Sequence, residues 1–180
     1  EPFKKLAHPG MIFGMDGEKM SKSRGNVVSA DEIRERVGAD SLRTFISFMG
    51  PMDKDKPWSP SGIDGVRRFL DRIWRLAIDE NGSCIANDQA LSVEVKKSLH
   101  KCIKKTTESI EAMGFNTAVS AMMILVNDLY KHDCHSKKAL MPLTQLVAPF
   151  APHLAEELWE RLGGTGFVAI APWPQFKPEL

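Results

Sequence analysis

Lys19 and Lys22 lie three residues apart, with Met20, Ser21 and Ser23 around them, in a stretch preceded by Gly14 and Gly17 and followed by Gly25. Two ammonium groups on a glycine-flanked loop can bracket a polyphosphate, and the serine hydroxyls and free backbone N–H groups add neutral donors. Such a set suits a developing negative charge. The stretch does not follow the P-loop pattern, because Gly17 is followed by Glu18 and not by Lys-Ser or Lys-Thr, so it is another kind of phosphate site. Two further basic sets recur at helical spacing: Arg68, Arg72 and Arg75, and Lys97, Lys101 and Lys104. Each is open to two readings. One is contact with a nucleic-acid backbone; the other is a solvated helix face paired to carboxylates such as Asp71 and Glu108. His132, Cys134 and His135 form the one cluster of possible metal ligands, and the expectation there is a solvated turn between helices, with no metal site in the chain.

Composition narrows what these residues can belong to. The 180 residues suffice for one substantial domain, or a domain with a smaller appendage, and 43% hydrophobic with 26% charged residues is a globular balance. A net charge of +1 means that any nucleic-acid site must be a local concentration of charge. The longest apolar run, Ala121 to Val126, is too short to cross a bilayer, so no membrane partner is expected. Three distant cysteines, Cys84, Cys102 and Cys134, without a C-x-x-C pair, disfavour a disulfide framework and a zinc ribbon and fit a reducing cytoplasm. The opening residues, from Glu1 to Lys5, carry neither an initiator Met nor an apolar signal segment, so the chain is expected to be a piece of a longer polypeptide.

The elements that must hold the lysine loop change character near Trp58. Before it, Gly10-Met11-Ile12-Phe13-Gly14 suggests a strand, Asp16-Gly17 a hairpin turn, and Glu18 to Asn26 an exposed loop; Val27-Val28 resumes an extended stretch. Ser29 and Glu32 form a capping box for a helix ending at Gly38, and Asp40 is expected to cap the next, which would bury Leu42, Phe45, Ile46 and Met49 before Gly50-Pro51. After Trp58 the periodicity is helical. Val66, Leu70, Ile73 and Ala77, with Phe69 and Trp74, mark one helix; Val95, Leu99, Cys102, Ile103, Thr106 and Ile110 mark a second, from about Ser92 to Met113. A third, from about Asn116 to Lys131, is apolar nearly all round and should be central. Ala139 to Val147 forms a fourth, a fifth ends at Gly163-Gly164, and Phe167 to Ile170 is expected as a short strand before a tethered tail through Trp173. The four tryptophans, Trp58, Trp74, Trp159 and Trp173, are expected as packing residues rather than base-stacking platforms.

Lys19-Met20-Ser21-Lys22-Ser23 is identical to the KMSKS signature of class I aminoacyl-tRNA synthetases, and a five-residue identity is specific by the standard of short motifs. The resemblance runs on through Gly25-Asn26-Val27-Val28, Gly38-Ala39-Asp40 with Arg43, and Phe48 to Asp53. Trp58-Ser59, Gly62 to Gly65, Arg67 to Trp74, Asn116-Thr117-Ala118, Leu146 to His153, Glu156 to Trp159 and Ala171 to Pro174 continue it, and the stretch from Gly50 to Trp74 resembles the leucyl-tRNA synthetase family in particular.

The resemblance implies a mainly α fold: a small α/β stem-contact unit with the KMSKS loop in residues 1–57, then in 58–180 an α-helical bundle of the anticodon-binding kind with a short C-terminal strand and tail. It implies that the parent enzyme uses ATP with Mg2+ to make leucyl adenylate from leucine and passes the leucyl group to tRNA(Leu). Lys22 would contact the departing pyrophosphate, Lys19 would stabilise the closed loop or the phosphates, and Met20, Ser21 and Ser23 would complete the nucleotide contact. The companion HIGH signature is missing, since His8-Pro9-Gly10 is followed by Met11. The nucleotide-binding half is therefore expected upstream, and the chain alone is expected to be inactive. The rival readings are a methionyl, valyl or isoleucyl enzyme, or a non-catalytic helical RNA-binding module.

Overall fold

Short-range signals set most of the elements. In the computed structural model, which describes residues 2–178, Gly10 to Phe13 is drawn against residues 52–58, and strand β1 (Ile12–Phe13) pairs in parallel with β2 (Lys56–Pro57), Ile12 opposite Lys56. Between the two strands lie a 3-10 turn (Lys22–Arg24), α1 (Ala30–Val37) and α2 (Ala39–Phe48). The Ser29 hydroxyl accepts the Glu32 N–H at the start of α1, and Gly38, at φ 86°, ends it in a conformation that a residue with a Cβ rarely adopts. Five helices follow: α3 (Pro60–Ala77), α4 (Val93–Glu111), α5 (Phe115–Lys131), α6 (Lys137–Val147) and α7 (Pro152–Arg161). Proline occupies the first turn of α3 and α7, where its missing N–H costs no helical bond. Ser92 caps α4 by accepting the Val95 N–H at 3.2 Å.

The centre is α5. Ala118, Val119, Met122, Leu125, Val126 and Leu129 are all 0% exposed, on a helix packed against α2, α3, α4 and α6. Burial of a side chain the size of Val, Leu or Met contributes about 1.5–3 kcal/mol, so this one helix holds much of the core free energy. A smaller core gathers Val37, Phe45, Trp58, Ile63 and Val66, with Phe45 and Trp58 in edge contact at 5.2 Å. Phe48 and Met123 border both cores and join them. A third cluster holds Ala155, Trp159 and Val168. A Cβ on Gly164 would come within 2.3 Å of the Trp159 ring, so the indole closes over a position that only glycine can occupy.

Three expectations need correction. Phe167 to Ile170 is not a strand; Val168–Ile170 is a 3-10 turn, because the Glu156 carboxylate takes the N–H groups of Val168 and Ala169 at 2.9 and 3.1 Å. Ile46 is 44% exposed, and the inner face of α2 is filled by Ser41, Thr44 and Phe45, with Leu42 and Met49 half-buried. Asp40 does not cap α2. Gly38 holds that position, and the Asp40 carboxylate reaches across to the start of α7. The tail is held at Trp173, whose indole N–H donates to Thr107 Oγ1 at 2.8 Å, and at Pro172, whose carbonyl accepts from Gln145 at 2.7 Å. Among the tryptophans, Trp58 and Trp159 are buried and Trp74 and Trp173 half-buried against the main core.

Candidate functional site

The lysine loop leaves β1 through a tight turn. Gly14 N–H donates to the Glu18 carbonyl, Gly17 N–H to the Gly14 carbonyl, and the Asp16 carboxylate accepts the Glu18 N–H at 3.0 Å. That backbone bond, followed by a hydrogen bond from Asn26, holds the Asp16 carboxyl below its ordinary value of 3.8. Gly14 is required by close approach: a Cβ there would lie 2.6 Å from Asp16 Oδ1 and 3.0 Å from Asn26 Nδ2. The loop's far end closes in the 3-10 turn, with Gly25 left-handed at φ 66°.

Within the loop, side chains divide by direction. Met20 packs against the small core beside Val37, Phe45 and Trp58. Lys19, Lys22 and Ser23 are exposed and Ser21 half-buried, the two serine hydroxyls lying 2.8 Å apart. Arg24 turns back to Glu18 at 2.8 Å, an exposed pair worth little to stability but enough to keep the carboxylate off the lysines. Neither Lys19 nor Lys22 makes an ion pair or side-chain hydrogen bond with a described residue. Two uncommitted ammonium groups thus stand on a loop whose Met20 is half-buried against the small core, an arrangement able to receive several phosphate oxygens.

On α3 the three arginines do not behave alike. Arg68 and Arg75 are exposed and make no ion pair or hydrogen bond among the described residues. Arg72 is committed: Nη1 donates to Asn127 Oδ1 at 2.8 Å, the guanidinium lies 4.5 Å from the Tyr130 ring centre, and the Tyr130 hydroxyl donates to the Arg72 carbonyl. The expectation that packing leaves all three free therefore fails for Arg72. Asp71, a candidate partner for that face, pairs with Arg67 at 3.1 Å instead. On α4, Lys97, Lys101 and Lys104 are exposed around a cavity of about 570 Å3 between α4, α5 and the tail, joined there by Lys105 and Lys177. Lys104 leans on the Phe176 ring and on Glu108 at 4.0 Å.

His135 Nδ1 lies 2.8 Å from the Leu76 carbonyl and Nε2 3.2 Å from Asp133, and among the described residues no group of three or more His, Cys, Asp or Glu could hold a metal. No helix of the described residues is long and apolar enough to cross a membrane. The residues missed in sequence are Asp16 and Asn26, which tie the loop together. Their signal was present: a turn-forming Asp and an Asn flank the lysine pair, both types that bond backbone groups through short side chains.

Comparison with known proteins first gives a class. Residues 1–59 match the family of class I tRNA synthetases (I, L, M and V), and residues 94–180 match the anticodon-binding domain of tRNA ligase. Individual relatives then narrow it. Over 180 residues, all of this chain and 23% of the relative, it is 65% identical to the leucine–tRNA ligase of Bdellovibrio bacteriovorus; it is 47% identical over 182 residues to that of Pelodictyon phaeoclathratiforme. The chain thus spans about a quarter of the length of these relatives. Among solved structures it superposes on the LeuRS chain of an Agrobacterium radiobacter ternary complex with tRNA and LeuAMS, with TM-score 0.84, 33% identity, and coverage of 100% of this chain and 25% of that one. The methionyl-tRNA synthetase of Mycobacterium tuberculosis shares the fold, at TM-score 0.67 and 17% identity over 86% of this chain and 37% of that one.

Proposed function

We propose that this chain is the segment of a leucyl-tRNA synthetase that supplies the loop closing over ATP, within residues 1–57, and a helical domain for tRNA(Leu), within 58–180. The observation that carries the reading is the 65% identity to a leucine–tRNA ligase along the whole chain. Relatives of that name favour leucine over methionine, valine or isoleucine, and the uncommitted pair Lys19 and Lys22 gives the chain a chemical task that a passive RNA-binding module would lack.

In this reading the leucine carboxylate attacks the α-phosphorus of ATP and pyrophosphate leaves, so no side-chain nucleophile is needed and the protein contributes position and charge. Lys22 meets the departing pyrophosphate and Lys19 the phosphates or the closed loop. Ser21 and Ser23 add hydroxyl donors, while Met20, anchored inward, sets the backbone that borders the adenosine. Magnesium travels on the nucleotide's phosphates. Arg68 and Arg75, with Lys97, Lys101 and Lys104, offer charge to the tRNA backbone. Arg72 contributes by fixing α3 to α5.

The test is single-turnover adenylate formation by the full-length enzyme containing this chain. Lys22→Ala is expected to slow it about 100-fold or more, the scale of losing a charged donor in the transition state, with little change in leucine binding. An unchanged rate would remove Lys22 from the site.

A further inference from the structure

Asn26 grips both peptide groups that flank Met20. Its Oδ1 accepts the Ser21 N–H at 2.8 Å, and its Nδ2 faces the Lys19 carbonyl at 3.4 Å while donating to Asp16 Oδ2 at 3.0 Å. The partners fix the amide's orientation, because only its NH2 can face a carboxylate and only its oxygen can face an N–H. Asn26 is half-buried, and Asp16 is itself held by the Glu18 N–H. Lys19 is one of the gripped residues, and Lys22 begins the 3-10 turn immediately after the other. Neither ammonium has a partner of its own, so the direction in which each lysine leaves the loop is set by the backbone that Asn26 holds.

We propose that Asn26, backed by Asp16, is a positioning residue for adenylate formation: it holds the loop so that Lys19 and Lys22 converge on the phosphates when the loop closes. The proposal rests on the reading of the loop as the one that closes over ATP. Positioning acts on the rate, since a misdirected lysine still meets the substrate but loses its contact in the transition state. A merely structural hydrogen bond would instead show in thermal stability.

Asn26→Asp separates these. It keeps the acceptor for Ser21 but replaces the donor with a negative charge about 3 Å from the Asp16 carboxylate, at the 3.0 Å spacing of the present bond. In the full-length enzyme, adenylate formation is expected to fall about tenfold or more, with leucine KM and thermal midpoint little changed. The exchanged pair Asp16→Asn with Asn26→Asp restores one donor facing one carboxylate and is expected to recover several-fold of the rate. Lys22→Ala is measured beside them. If Lys22→Ala slows adenylation while Asn26→Asp leaves it unchanged, or lowers it only together with the thermal midpoint, the positioning role is overturned and the loop assignment stands. Failure of the exchanged pair to recover any rate overturns it equally. If Lys22→Ala has no effect, the loop assignment falls and the proposal with it.

Discussion

Asp40, in the first turn of α2, accepts the backbone N–H of Leu154 at 2.7 Å across 114 residues of chain, and its Oδ1 lies 2.8 Å from His153 Nδ1. Ala151, at the N-cap position of α7, has no side-chain acceptor to offer, so Asp40 caps that helix from outside. One turn along α2, Arg43 Nη2 donates to the Pro149 carbonyl at 3.2 Å. The two contacts peg the loop-bearing part to the bundle.

Asp40→Ala is expected to cost about 1–2 kcal/mol, the range of a lost N-cap. Its side chain is 13% exposed, so water replaces the carboxylate poorly. Asp40→Asn keeps an acceptor but not the charge that favours a helix N-terminus, and is expected to cost less. Urea unfolding followed by helical circular dichroism checks the order. Equal midpoints for Asp40→Ala and the parent would remove the cap from the stability of α7.

Cys102 yields a pH dependence. Burial pushes its thiol from 9.0 up to about 12, opposed by a weak contact with Thr106. The folded chain therefore keeps this proton where the unfolded chain has lost it. The stability contribution is complete below about pH 9 and falls as pH rises towards 12. Cys102→Ala should flatten alkaline unfolding in that window, offset by a cavity cost. At pH 8, exposed Cys84 should react with a thiol reagent while Cys102 stays silent until unfolding. Rapid native labelling of Cys102 would contradict its burial.

Periodicity made α3, α4 and α5 legible, because their buried residues recur at helical spacing and their ends carry Ser, Pro or Gly. The lysine loop was legible too, as a run of residue types. What periodicity could not reveal were relationships between distant stretches. Asp40 looks like a local cap because Asp is a good one, yet Gly38 occupies the position and α7 offers unsatisfied N–H groups instead. Phe167 to Ile170 has the composition of a strand but pairs with none among the described residues, and Glu156 takes the N–H groups of Val168 and Ala169. Arg72 shares a helix face with Arg68 and Arg75, and only the fold brings Asn127 and Tyr130 to it.

That difference divides the arginine stripe experimentally. Arg68 and Arg75 are exposed without partners among the described residues, so replacing both by Gln removes charge and little packing. If they meet phosphates, tRNA binding should weaken across isoacceptors, and the log-log slope of affinity against salt should flatten by up to about two units. Arg72→Gln should behave differently. It loses the bond to Asn127 and the contact with Tyr130, so it should lower the unfolding midpoint with little change in salt slope. Adenylate formation without tRNA should survive in the double variant, because neither arginine makes an ion pair or hydrogen bond with the lysine loop among the described residues. The measurement is tRNA affinity against salt for the full-length parent, the double variant and Arg72→Gln. Identical slopes and affinities for parent and double variant would make Arg68 and Arg75 a solvated face.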